Sequence, residues 1–246
     1  MKKLLKNIAY FLLSFFKHEG AVVLMYHSIG NNREFFTVSE EEFGRQMKYL
    51  RDHEFNVVSL IELVGILKNN LPIPEKTIAI TFDDGYEDNL LVAQPILSEY
   101  NFPATIFVST ANMGETILGR RETELKIVSA EEIKEVDRSG LIDFESHSNY
   151  HVKLPSLSDD EISEQLSSSK KILEEILGRA VDMVAYPSGK TNKKVIETAK
   201  KYYSVGVGVQ KGRVIHGDNI MEIRRNSVDR EVSFTQFKGI AAFGRI

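Results

Sequence analysis

The stretch Ile78-Ala79-Ile80-Thr81-Phe82-Asp83-Asp84-Gly85 decides how this chain is read. Its first five residues are mostly apolar or β-branched and lack polar alternation, which describes a parallel strand covered on both faces. The strand then ends on two adjacent carboxylates. Like charges beside a buried strand raise each other's pKa and cost stability, so a cation shared with further ligands explains them better than a surface Asp-Gly turn. Neighbours on an extended chain point different ways, so one Asp can bind an ion while the other faces the water that the ion holds.

Similar runs lie on either side: Ala21 to Tyr26, Val57-Val58, Ala104 to Val108, Ile142 to Glu145, Met183 to Tyr186 and Val205 to Val209. Between them stand helix starts. Ser39 with Glu42, Ser59 with Glu62, Ser129 with Glu132, Ser158 with Glu161 and Ser233 with Gln236 fit the capping box, in which a serine oxygen and a side chain three residues on satisfy orphan N–H groups. After Ser158, the residues Ile162, Leu166, Leu173 and Leu177 form a core-facing helical stripe that Gly178 can end. Strand–helix alternation at this frequency implies parallel strands with right-handed crossovers. Roughly seven such units predict an α/β fold, a distorted, incomplete (β/α)7 barrel forming a single domain over residues 20–246. No internal repeat or linker divides it, and Asn112 to Lys126, without clear period, is expected as a loop at the barrel mouth.

The 246 residues carry a net charge of −4, which argues against a nucleic-acid coat. Cysteine is absent, so a disulfide scaffold, a thiolate metal site and a thiol nucleophile are all excluded. Any metal must be held by histidine and carboxylate. The six histidines are at 18, 27, 53, 147, 151 and 216, and His18 and His53 have no partner pattern.

In parallel barrels the working groups sit where strands end. The first run ends in Tyr26-His27, the third in Asp83-Asp84, the fifth in Ser146-His147-Ser148-Asn149-Tyr150-His151, and the sixth in Tyr186-Pro187-Ser188-Gly189. His147 and His151 are four apart and share one face if a helical turn follows the strand. With Asp84 they make a two-His, one-carboxylate site with open positions, the arrangement of a catalytic metal.

Thr-Phe-Asp-Asp-Gly (81–85), Ser-His-Ser-Asn-Tyr-His (146–151) and the following Leu154 and Leu157-Ser158 together resemble the polysaccharide deacetylase family, carbohydrate esterase family 4. The resemblance runs from about Val22 to Phe237. Tyr26-His27-Ser28-Ile29 and Ala185-Tyr186-Pro187-Ser188-Gly189 are similar to the branch acting on cell-envelope and exopolysaccharide glycans. It implies a hydrolase that removes N-acetyl groups from N-acetylhexosamine units of a glycan. Asp84, His147 and His151 would hold a divalent ion, zinc being the expected one, and Asp83 would be the general base toward the activated water. His27, Tyr186, Pro187 and Ser188 would face the substrate, with a backbone N–H near Pro187-Ser188 at the oxyanion.

Two departures from the family pattern stand out. Many members have an arginine three residues before the proline of the third motif, where this chain has Val184; Arg225 in Glu222-Ile223-Arg224-Arg225-Asn226-Ser227-Val228 is the substitute expected to orient the catalytic Asp. The late histidine that serves as general acid is matched only loosely by Val214-Ile215-His216, and His27 is the replacement. A small-amide C–N hydrolase on the same scaffold, or a catalytically impaired glycan-binding envelope protein, are the competing readings.

Residues 1–19 form a separate expectation. Lys2, Lys3 and Lys6 precede the apolar run Ile8 to Phe16, and no small-x-small cleavage site follows. Nine helical residues reach about 14 Å, too short to span a bilayer of about 30 Å. Peripheral contact at a membrane interface, with a membrane-associated or cell-envelope location, is weighed against a helix docked on the barrel itself.

Overall fold

The fully buried strands fall side by side, as their composition requires: with no polar face, each must be covered by a neighbouring layer on both sides. The computed structural model describes residues 19–137 and 140–244. The strands are β1 (Val22–Tyr26), β2 (Asn56–Val58), β3 (Thr77–Phe82), β4 (Ala104–Val108), β5 (Thr116–Leu118), β6 (Glu124–Lys126), β7 (Ile142–Ser146), β8 (Met183–Ala185), β9 (Val205–Val207) and β10 (Asn226–Ser227). The helices are α1 (Glu40–Asp52), α2 (Leu60–Lys68), α3 (Gln94–Tyr100), α4 (Ala130–Asp137), α5 (Asp159–Leu177), α6 (Lys193–Ala199) and α7 (Phe234–Phe243).

The main sheet runs β10-β1-β3-β4-β7-β8-β9, every pairing parallel, with β2 added beside β3. Its two ends approach each other through a single parallel bridge between Val207 and Ile223. The result is the expected incomplete seven-stranded barrel. Register places Tyr26 beside Phe82, and Val108 beside Ser146, so the strands finish on one rim.

Side-chain alternation divides the apolar residues into two layers. Val22, Leu24, Tyr26, Ile78, Ile80 and Phe82 point outward to the helices. Ala21, Val23, Ala79, Phe107, Ala185 and Val207 point inward, joined by Leu60 and Leu63 of α2. The helix starts follow the capping chemistry. Ser39, Ser59, Ser158 and Ser233 each accept the N–H three residues on, and the reciprocal contact is completed at Ser158 and Ser233. Ser129 and Glu132 are bonded in both directions too. Gly178 closes α5 at φ +69°, a left-handed cap that suits glycine.

One expectation is corrected here. Asn112 to Lys126 is not all loop: β5 and β6 pair antiparallel within it, Ile117 opposite Leu125. Strands of three residues are too short to show a period. Among the described residues no helix is long and apolar enough to cross a membrane. The basic and apolar run Met1–Phe16, and His18 with it, lie outside the described residues.

Candidate active site

Asp83 directly follows β3 and points into the barrel, where Arg225 meets it as a fork. Arg225 Nη1 donates to Oδ1 at 2.6 Å and Nη2 donates to Oδ2 at 2.7 Å. Both side chains are buried, Arg225 completely. Two further guanidinium donors are used as well: Nε donates to Gly208 O at 2.9 Å and Nη1 to Thr81 Oγ1 at 3.2 Å. Burial pushes the Asp83 carboxyl up, but the charge of Arg225 and then of His147 outweighs it and holds the carboxyl below its ordinary value. Asp83 is therefore ionised at neutral pH.

Asp84 turns the other way. Its φ of +72° lies in the left-handed region, unusual for a non-glycine residue, and Gly85 continues the turn at +76°. This places Asp84 Oδ1 at 3.4 Å from His147 Nε2 and 3.3 Å from His151 Nε2. One ligand atom from each of the three residues lies within 4.8 Å of the others. His147 is buried, and its Nδ1–H donates to Ala185 O at 2.8 Å, which turns Nε2 toward Asp84. Burial raises the Asp84 carboxyl, yet its hydrogen bond to His147 and the nearby histidine charges bring it well below the usual carboxylate range. Burial lowers the His147 imidazole, while Asp83 and Asp84 raise it further than burial lowers it.

The two histidines do not come together on a helical turn. Ser148 at φ +62° and His151 at φ +50° bend the segment after β7 instead. Left-handed residues that persist without glycine cluster where surrounding structure holds them, typically at working sites.

One carboxylate and two imidazoles converge with no thiolate nearby, a donor set that could hold a divalent metal ion. The Nδ1 bond of His147 supplies the outer support that such ligands use.

These groups open into a cavity of about 540 Å³ lined by His27, Asp83, Asp84, His147, His151 and Ser188, among others. His27 is held through its backbone. Asn89 Nδ2 donates to His27 O at 2.6 Å, while Asp88 accepts from Ser28 Oγ at 2.5 Å and from Ile29 N at 3.1 Å. Asp88 and Asn89 open a π-helical turn, Asn89–Ala93, whose extra residue per turn re-aims these side chains toward the β1 loop. Their one signal in the sequence is proximity to Asp83-Asp84-Gly85.

Ser188, at φ +56°, lies in a tight turn, Pro187–Gly189. Gly189 N and Lys190 N donate to Tyr186 O and Pro187 O. Among the described residues nothing accepts the N–H of Ser188. The rim carries two exposed aromatics that no sequence pattern marks, Phe35 after β1 and Tyr150 after β7, at 47% and 61% exposure.

A sequence model of the polysaccharide deacetylase family matches residues 70–205. YxkH of Bacillus subtilis is 30% identical over 216 residues, 87% of this chain and 74% of YxkH. The chain belongs to the polysaccharide deacetylase family. The poly-β-1,6-N-acetyl-D-glucosamine N-deacetylase of Staphylococcus aureus is 30% identical over 209 residues, 76% of this chain and 70% of that enzyme. Among solved structures, IcaB from Ammonifex degensii superposes with a TM-score of 0.83 at 25% identity, covering 94% of this chain and 99% of IcaB. A polysaccharide deacetylase from Bacillus cereus superposes at 0.76 with 28% identity, covering 91% of this chain and 69% of that one.

Within this family member, three expected site residues lie elsewhere. Tyr186 is fully buried in the outer core and does not line the cavity, because the alternation of β8 turns it outward. Pro187 is buried and shapes the turn without lining the cavity. His216 is exposed beyond Val214, which bridges to Ala21 just before the start of β1. That is the opposite end of the barrel from the strand C-termini, so the fold does not bring His216 to the site. His53 is exposed at the end of α1, its Nδ1 3.0 Å from Tyr49 O.

Proposed function

We propose that this enzyme removes N-acetyl groups from N-acetylhexosamine units of a glycan. The observation that carries the reading is the pairing of Asp83 with a fully buried Arg225 directly beside the Asp84–His147–His151 triangle. A divalent ion held by those three residues, zinc by the character of its ligands, supplies a Lewis acid and lowers the pKa of water.

The chain's own groups do the rest. Asp83, ionised and fixed by Arg225, retains lone pairs beyond those used by the fork and accepts the proton of the attacking water. The N–H of Ser188 donates to the oxygen that becomes negative as water adds to the acetamide carbonyl. His27, at the rim and anchored by Asn89, delivers a proton to the departing nitrogen. The C–N bond breaks, and acetate and the free amine leave.

Two observations weigh against the alternatives. A small-amide hydrolase needs a sealed pocket, whereas Phe35 and Tyr150 stand exposed at this rim, where sugar rings can stack. A catalytically impaired protein was suggested by the missing arginine, and Arg225 supplies that guanidinium from β10's approach. A cell-envelope location, with residues 1–19 at the membrane interface, belongs to the same reading.

The test combines metal analysis of the purified protein with acetate release from poly-β-1,6-N-acetylglucosamine, chitin-like and peptidoglycan fragments. Acetate release from at least one, abolished by Asp83→Asn while metal stays bound, is the expected result. Metal binding with no release from any member of the panel favours the glycan-binding alternative.

A further inference from the structure

The ladder between β7 and β8 is almost absent: Ser146 and Val184 are its one register pair. One step earlier, two charged side chains are inserted where main-chain bonds would continue. Met183 N donates to Glu145 Oε2 at 2.7 Å, and Arg179 Nη2 donates to Phe144 O at 3.3 Å. Glu145 is buried, 2% exposed, and Arg179 Nη1 reaches its other oxygen at 3.4 Å. Arg179 is itself secured by Asp137 Oδ1 at 2.9 Å and Asp143 Oδ1 at 3.2 Å.

Two residues beyond Met183, the carbonyl of Ala185 receives the Nδ1–H of His147. Glu145 and His147 both face the barrel interior from β7, while Met183 and Ala185 are the matching pair on β8. A rectangle results, with one side-chain bond across each end. The β9 edge of β8 is paired along its whole length, so the first end is the tie that sets the height of β8 against β7, and the second end depends on that tie.

We propose that Glu145 is a positioning residue for the metal centre: by accepting Met183 N–H it sets the height of β8, and thereby the Ala185 carbonyl that orients His147. This rests on the reading of Asp84, His147 and His151 as metal ligands. It requires an acceptor atom at the end of a side chain of glutamate length, and it does not require the charge.

Cobalt(II) titration of the full chain, followed by its visible spectrum and by zinc competition, reads this without any turnover. Glu145→Asp keeps the charge but shortens the reach, and is expected to weaken cobalt affinity about 10-fold or more, the scale of lost outer support at a ligating histidine, with an altered spectrum. Glu145→Gln keeps the acceptor at full length and is expected to retain wild-type affinity and spectrum. Thermal melts establish that both variants fold. Wild-type affinity in the Asp variant, or equal loss in the Gln variant, overturns the proposal. Failure of the wild-type chain to bind cobalt or zinc removes the metal reading instead.

Discussion

Arg225 and Asp83, 142 positions apart in the chain, are joined in the barrel interior by two parallel hydrogen bonds of 2.6 and 2.7 Å. A lysine can match the charge but not the fork, so Arg225→Lys leaves Asp83 free to rotate. Its expected effect is a fall in kcat of about 100-fold with metal content unchanged. Arg225→Met leaves a buried carboxylate without its partner and is expected to destabilise by about 3–5 kcal/mol, read from urea unfolding. Wild-type kcat in the lysine variant would remove the fork from the mechanism.

How much of this site could be read in advance follows from its residue types. Adjacent carboxylates after a β-branched run, and histidines after another, are hard to explain structurally, so Asp83, Asp84, His147 and His151 were legible. Arg225 was legible only as a missing group sought elsewhere, since arginines are ordinarily solvated. The sequence does not place Tyr186, because a three-residue strand gives alternation too little length to indicate which face it takes. Nor does it place His216, because spacing along a chain does not show at which end of a barrel a turn falls. Glu145 does carry a signal, an acid two residues before a candidate ligand histidine within a buried strand, although its partner at Met183 is a backbone group with no signature at all.

Metal removal should act on stability as well as on turnover. A ligand that binds only the folded state stabilises it by about 2.7 kcal/mol at 100 times its Kd. Chelation is therefore expected to abolish acetate release and to lower Tm, both restored by zinc. In Asp84→Asn the Tm is expected to respond little to zinc. A Tm shift of wild-type size in that variant would place the ion elsewhere.

Asp88 supplies a pH dependence of defined sign. Burial, the main cause, raises its carboxyl to about 6, against the lowering by Ser28 and Ile29 hydrogen bonds. An unfolded aspartate titrates near about 3.9. The folded state thus holds the proton more tightly, so the stability linked to Asp88 is fully present below about pH 4 and lost as pH rises through about 6. The integrated effect is of order 1–3 kcal/mol. Asp88→Asn is expected to remove this slope, seen as the wild-type minus variant difference in unfolding free energy between those two pH values. A flat difference would mean that Asp88 titrates normally.

Gly189 gives a test of the turn that presents Ser188. Its φ is +61°, which disfavours any Cβ, and a methyl group there would run into the Val209 side chain. Gly189→Ala must therefore relax by moving the turn or Val209. On the proposed mechanism, moving the turn takes the Ser188 N–H away from the oxyanion, a loss worth about 100-fold or more in kcat, while Asp84, His147 and His151 stay in place. The expected result is a large fall in kcat with metal affinity close to wild type. Adding Val209→Ala relieves the collision but not the backbone preference, so the double variant should recover part of kcat and not all of it. Full recovery would show that Val209 alone set the effect, and no loss in the single variant would remove the Ser188 N–H from the reaction.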